Sequence, residues 1–188
     1  TAGYARLPTD LMSAHARNKC LQVEQIMGRL QVPGNHMKIN VLNAGLALYL
    51  MGVAAEQAVN ILGEWKGITH RLEKFHEWES PVDGRKVSFF NDSCATVPEA
   101  AAAASQSFEQ KVILITGGTD KGLDFLPLAK CLNMEDGSHY KPFEIYLLAG
   151  TGTDKLIPLL KERNVNYYGP FDSLSILLGM VKTNLISE

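Results

Sequence analysis

The sequence predicts an α/β protein with a mostly parallel sheet. Two observations carry this. From Gly67 onward, short apolar β-runs alternate with helix-like runs at the spacing of βαβ crossovers. Two of those β-runs, Val87–Phe90 and Val112–Ile115, lead directly into polar loops, Asn91–Thr96 and Gly117–Lys121. In an open α/β sheet, ligands bind where strands end and such loops begin, so these loops are the first place to look for chemistry.

Residues 1–35 are weakly patterned, and Cys20–Ile26 fits an edge strand as well as a short helix. Pro33-Gly34 is a breaker. From His36 to Leu50 the apolar residues Ile39, Leu42, Leu46 and Leu50 recur at helical spacing, and Gly52 closes the helix. A second helix over Ala54–Glu64 is ended by Gly63 and Gly67. Strands are then expected at His70–Trp78, Val87–Phe90, Val112–Ile115, Ile145–Leu148 and Val165–Tyr168. Helices are expected at Pro98–Ser107, Phe125–Leu132, Lys155–Arg163 and Ser173–Leu185, placed on both faces of the sheet. Pro98 suits the first helical position, Glu99 the positive end of the helix dipole, and Ala100–Ala104 the helix interior. A domain boundary near Gly67 separates residues 1–66, the helical end of one domain, from residues 67–188, a Rossmann-like domain of ordinary size. The sequence opens at Thr1 without methionine and stops at Glu188 just after a helix-like run, so it reads as a fragment of a longer protein.

Composition excludes several classes of function. A net charge of −2 without a Lys/Arg run supplies no field for nucleic acid or an acidic membrane. No stretch has the length of a membrane span, and no signal-peptide pattern opens the chain. Cys20, Cys94 and Cys131 are odd in number and contain no CxxC pair, which argues against a disulfide framework and a zinc site. A reducing cytoplasm is the expected compartment.

Taken singly, the polar clusters have ordinary readings. Asn91–Thr96 could be a loop and helix cap, or a site in which Asp92 accepts from ribose hydroxyls and the hydroxyls of Ser93 and Thr96 bind an anion. Gly117-Gly118-Thr119-Asp120-Lys121-Gly122 could be a glycine turn with a solvated lysine. It could equally hold a carboxylate or phosphate near a helix N-terminus through Lys121. In a strand over His70–Glu73, Arg71 and Glu73 share one face, and Arg71 could fork onto a phosphate or form only a surface ion pair. Gly150-Thr151-Gly152-Thr153-Asp154-Lys155 lacks the GxxxxGK[ST] spacing of a P-loop, and Leu156 follows its lysine. Trp65, Trp78, Tyr167 and Tyr168 are read as packing residues.

In order, the clusters resemble the Mur ligases. Gly34-Asn35-His36-Met37-Lys38-Ile39-Asn40 before a small-residue helix is similar to that family's G-x-H-N-x-x-N segment. His70-Arg71-Leu72-Glu73, Asn91-Asp92-Ser93-x-Ala95-Thr96 and Gly117-Gly118-x-Asp120-Lys121 resemble the branch that adds D-glutamate. The match runs from Pro33 to Leu132 and more loosely beyond. The resemblance implies an ATP- and Mg2+-dependent amide ligase of peptidoglycan-precursor synthesis, with UDP-N-acetylmuramoyl-L-alanine and D-glutamate as the other partners. It places Asn40 at adenine, Arg71 at the ribose–phosphate region and Asp92 at the ribose hydroxyls. Thr96 and Lys121 would hold the carboxylates of D-glutamate, with His36, His70 and Ser93 behind them. The family's P-loop, Mg2+ ligands and modified lysine would precede Thr1, and its closing Ser/Phe segment would follow Glu188, so no catalytic residue and no metal ligand is assigned here. Met37 departs from the family's Asn, and Cys94 from a lysine that many members carry. Two alternatives stand beside this reading. One is a related amide ligase for another amino acid, such as another Mur ligase or folylpolyglutamate synthase; the other is a stand-alone Rossmann-like binding or regulatory domain.

Overall fold

The computed structural model describes residues 30–81, 83–138, 142 and 144–187. The segment Cys20–Ile26 lies outside them. Two compact units part between Asn91 and Asp92.

In the first unit, α1 (Asn35–Leu50) starts after Gly34, whose φ of 86° places it where glycine is favoured. The helix ends in a Schellman motif. Gly52, at φ 94°, donates its N–H to Tyr49 O, and Val53 donates to Leu48 O. The buried row is Met37, Val41 and Gly45, whereas Ile39 and Leu50 are more than half exposed. The expected stripe is therefore not the packed one. The helix is apolar on several sides, so tertiary contact with α2 (Ala55–Glu64), not periodicity, selects the buried face. On α2 the buried residues are Ala58, Val59 and Leu62, one face at helical spacing.

The strands β1 (Glu73–Glu79) and β2 (Lys86–Asn91) pair with each other as an antiparallel hairpin, Trp78 opposite Val87 and Glu73 opposite Asn91. The alternation of strands had pointed to membership of a parallel sheet for both. Only Ser80 to Arg85 separate them, and a parallel crossover needs a dozen or more residues.

The second unit carries the predicted α/β layering. The strands β3 (Ile113–Gly117), β4 (Glu144–Leu148) and β5 (Tyr168–Phe171) form a parallel sheet in that order. Helix α3 (Pro98–Ser105) precedes β3, α4 (Leu126–Leu132) and α5 (Thr151–Glu162) form the two crossovers, and α6 (Leu174–Ser187) follows β5. Period-two alternation along β4 divides the core. Ile145 and Leu147 pack with Leu128, Leu132, Leu156 and Leu160 of α4 and α5, and Tyr146 packs with Leu177 and Val181 of α6. The Tyr146 hydroxyl donates to Glu144 (2.7 Å) and accepts from Asn184 of α6 (2.7 Å). Burial, with Glu144 beside it, pushes this phenol up to about 12.

Two boundaries move from their expected places. Helix α5 begins at Thr151, not Lys155, so the Gly-Thr-Gly-Thr stretch is its first turn. Its end is a second Schellman motif: Asn164, at φ 54°, donates to Lys161 O and Val165 donates to Leu160 O. Val165 is buried in the core as that motif's apolar contact, which delays β5 to Tyr168.

Leu160→Ala should lower the stability of the second unit by about 2–5 kcal/mol, because a fully buried side chain leaves a cavity. Native-state exchange of the β4 amide protons measures the loss.

Candidate functional site

Gly117 and Leu148 are partners at the ends of β3 and β4. The loops leaving these parallel strands therefore emerge side by side at the carboxyl edge of the sheet. Hydrogen bonds tie one to the other. Gly118 N–H donates to Thr153 Oγ1 (3.1 Å), and that hydroxyl donates to Leu148 O (2.6 Å). Gly152 N–H donates to Gly118 O (2.8 Å) and Asp120 N–H to Thr151 Oγ1 (2.9 Å). The glycines are a steric requirement. A Cβ on Gly117, at φ 125°, would lie 2.3 Å from Leu148 O, and one on Gly150 would lie 2.4 Å from Gly118 O.

Asp120 organises the first loop. Its carboxylate accepts from the N–H groups of Gly122 (2.9 Å) and Leu123 (3.3 Å) and forms an ion pair with Lys155 of α5. The Lys155 ammonium, aided by those two N–H groups and opposed by partial burial, holds the carboxyl below the ordinary aspartate value of 3.8. The next residue, Lys121, is exposed and makes no ion pair among the described residues.

A cavity of about 210 Å³ opens beside these loops. Thr96 and Lys121 both line it, together with Gly118 and Thr153. Ala101, Phe125, Leu128 and Leu156 supply apolar lining. Pro98 and Gly152, in the first turns of α3 and α5, also border it, so residues of two helix N-termini share its lining. A lysine, a threonine hydroxyl and two helix N-termini in one small cavity can bind a compact anion whose remainder is apolar.

The other predicted residues are distributed over both units. Asn40 is exposed on α1 and His36 is half-buried in its first turn. The segment His70–Glu73 is not a strand before Glu73. His70 and Leu72 have φ of 64° and 45°, and Arg71 donates its N–H to Ile68 O across an isolated bridge. The turn is held by Glu73, which accepts the His70 N–H at 2.8 Å, and by burial of Leu72. Arg71 and Glu73 therefore do not share a strand face. Instead, His70 Nδ1 meets Asn91 Nδ2 at 2.8 Å, which joins two of the sequence clusters at one end of the hairpin. In the second unit, Asp92 is half-buried and Ser93 exposed, and Ala95 N–H closes a turn onto Asp92 O.

Sequence reasoning missed the role of Gly150–Lys155. Once the P-loop reading failed, it was given no function. Its two threonines and Lys155 are the clamp on the Gly117–Lys121 loop. The usable signal was two Gly-Thr pairs directly after an apolar strand, a pattern that suits close approach by a neighbouring loop.

Known proteins resemble this chain over much of its length. The UDP-N-acetylmuramoylalanine–D-glutamate ligase of Treponema pallidum is 45% identical over 117 residues, 62% of this chain and 20% of that protein. The enzyme of the same name from Latilactobacillus sakei is 35% identical over 147 residues, covering 76% of this chain and 30% of its own length. That from Roseiflexus is 37% identical over 145 residues, covering 76% and 28%. Over these stretches the chain is similar to Mur ligases. Among solved structures, UDP-N-acetylmuramate–alanine ligase MurC from Thermotoga maritima shares the fold, with a TM-score of 0.54 and 19% identity over 74% of this chain and 30% of that one. No protein-family profile matches the chain. The chain spans 20 to 30% of the length of these Mur ligase relatives. Among the described residues, no helix is long and apolar enough to cross a membrane.

Gly117→Ala should break the register of the two loops and lower the melting temperature by several degrees, since its Cβ would meet backbone at 2.3 Å. Asp120 gives a second expectation. Its folded-state value lies below 3.8, so the stability it contributes is full above that pH and is lost as pH falls through the lower folded value. The Gly122 and Leu123 amide shifts should titrate with a midpoint below 3.8, and Asp120→Asn should abolish that transition.

Proposed function

We propose that this chain contributes part of the ATP site and part of the D-glutamate site of a cytoplasmic ligase that extends UDP-N-acetylmuramoyl-L-alanine in peptidoglycan-precursor synthesis. ATP phosphorylates the alanyl carboxylate, giving an acyl phosphate and ADP. The amine of D-glutamate attacks the acyl carbon, and the tetrahedral intermediate expels phosphate to leave the amide. Mg2+ bound with ATP would neutralise phosphate charge, its ligands coming mostly from elsewhere in the ligase. Asn40, Arg71 and Asp92 are the nucleotide contacts in this reading, a carboxamide, a planar cationic fork and a carboxylate suited to base, phosphate and ribose. His36, His70 and Ser93 support them. Gly67, at φ 102°, is proposed as the domain boundary.

The observation that carries the reading is the presence of Thr96 and Lys121 in the lining of one cavity flanked by two helix N-termini. A dianionic amino acid needs fixed cations and donors to aim its amine, and orientation of this kind is a large part of the rate. A second reading, ligation of a different amino acid, is favoured by Cys94, which stands where many family members carry a lysine.

Amino-acid-dependent phosphate release by the intact ligase tests the reaction. D-glutamate should support it, and release with another amino acid but not with D-glutamate selects the second reading. The 188-residue chain by itself should release no phosphate from ATP. Turnover by that chain would overturn the division of labour proposed here. In the intact ligase, Lys121→Ala should raise KM for D-glutamate roughly 10- to 100-fold, the loss of one charge-assisted hydrogen bond, while KM for ATP changes little. Arg71→Ala should show the opposite bias.

A further inference from the structure

The site contains an electrostatic conflict. Asp120 and Lys121 are neighbours in sequence, so a carboxylate is carried on the same loop as the ligand-binding ammonium. A free Asp120 could turn to Lys121 and cancel its charge. It does not, because three donors occupy it: the N–H groups of Gly122 and Leu123 and the ammonium of Lys155. The Asp120 side chain is largely covered, whereas Lys155 is about half exposed and reaches it from the first turns of α5. The same helix also takes the Asp120 N–H on Thr151 Oγ1 and the Gly118 amide on Thr153 Oγ1. Carboxylate and backbone are thus both drawn toward α5, leaving Lys121 without an ion pair among the described residues and on the cavity lining.

We propose that Lys155 is a positioning residue for substrate binding: by holding Asp120 against α5, it keeps the Lys121 ammonium uncompensated and available to a substrate carboxylate. The inference rests on the assignment of Lys121 to the amino-acid site. Lys155 itself touches no substrate. Its effect reaches the cavity through Asp120, so its removal should be felt as charge competition and not only as a loosened loop.

That distinction makes the test. D-glutamate is titrated into the intact ligase and followed by the amide shifts of Thr96, Gly118 and Lys121. Lys155→Met should weaken binding about tenfold, the loss of one charge-assisted contact. Lys155→Arg, which still pairs with Asp120, should bind as the parent does. The decisive variant is Asp120→Asn combined with Lys155→Met. Its carboxamide can still accept from Gly122 and Leu123 but no longer competes for Lys121, so binding should return to within about threefold of the parent. A merely structural role predicts no such rescue. Equal binding by the parent and Lys155→Met, or failure of the double variant to recover, would overturn the inference and leave the site assignment standing. If the parent does not bind D-glutamate, the site assignment falls, and the inference about substrate falls with it.

A ligand-free measurement isolates the electrostatic step. In Lys155→Met, the Asp120 carboxyl should titrate lower than in Lys155→Met combined with Lys121→Met, because it has moved to Lys121. Identical midpoints in the two variants would show that Asp120 never turns to Lys121, and would overturn the inference.

Discussion

The close approach of two backbone loops at the carboxyl edge of the parallel sheet is the constraint on which this site depends. Parallel strands pair at about 4.8 Å, so the chains leaving β3 and β4 begin as neighbours and would ordinarily diverge. Here they remain in contact, because Gly117, Gly150 and Gly152 have no Cβ to separate them and because Thr151 and Thr153 offer hydroxyls to the facing N–H groups. Thr153 is fully buried, donating to Leu148 and accepting from Gly118, so its hydroxyl is satisfied on both sides. With this seam closed, the β3–α4 loop has one path, and that path puts Lys121 on the cavity.

The packing beneath the seam serves the same end. Leu128, Leu156 and Leu160 fill the space between α4, α5 and the sheet, and the first two of these helices' buried residues continue into the cavity lining. The apolar part of the site is thus the upper surface of the core, and it is as rigid as the core beneath it. Polar groups on the lining are confined to backbone, the threonines Thr96, Thr116, Thr119 and Thr153, and Lys121. On the other face, α6 is held by Leu177, Val181 and the Asn184–Tyr146 hydrogen bond, which fixes β4 without reaching the site.

Much of the layering was legible in the residues, for reasons that are local. The apolar run Ile145–Leu148, Pro98 with Glu99 at a helix start, and Gly52 after a helical run each act within a few residues, and each element lies where those signals put it. The failures come from contacts that the strand and helix patterns do not reveal, some distant in sequence and some only a few residues away. Which side of α1 is buried depends on where α2 packs, not on α1 itself. Val165 looks like the start of a strand and is the apolar closure of a helix, because its N–H closes onto Leu160 O and its side chain packs into the core with Leu160. His70–Glu73 reads as extended chain until the Glu73 carboxylate accepts the His70 N–H and forces the turn. The site followed the same division. Thr96 and Lys121 were legible as donors after β-runs, whereas the clamp of Thr151, Thr153 and Lys155 was not, since its partners lie some thirty residues away in sequence.

The substitution at Cys94 acquires a physical meaning from this arrangement. Where a lysine is missing from the family motif, the positive potential in the cavity must come from the groups that remain on its lining: Lys121 and the N-termini of α3 and α5. Each helix end is equivalent to roughly half an elementary charge, so together with Lys121 they supply about two. Two carboxylates, as in a dicarboxylic amino acid, carry the matching negative charge. Half of that positive total resides on one ammonium, and the neighbouring Asp120 is able to cancel it. In a site with a second lysine such a loss would be partly covered. In the site proposed here it would not be, and on that proposal the ion pair between Asp120 and Lys155 protects a larger share of the binding field than the exposure of Lys155 on α5 implies.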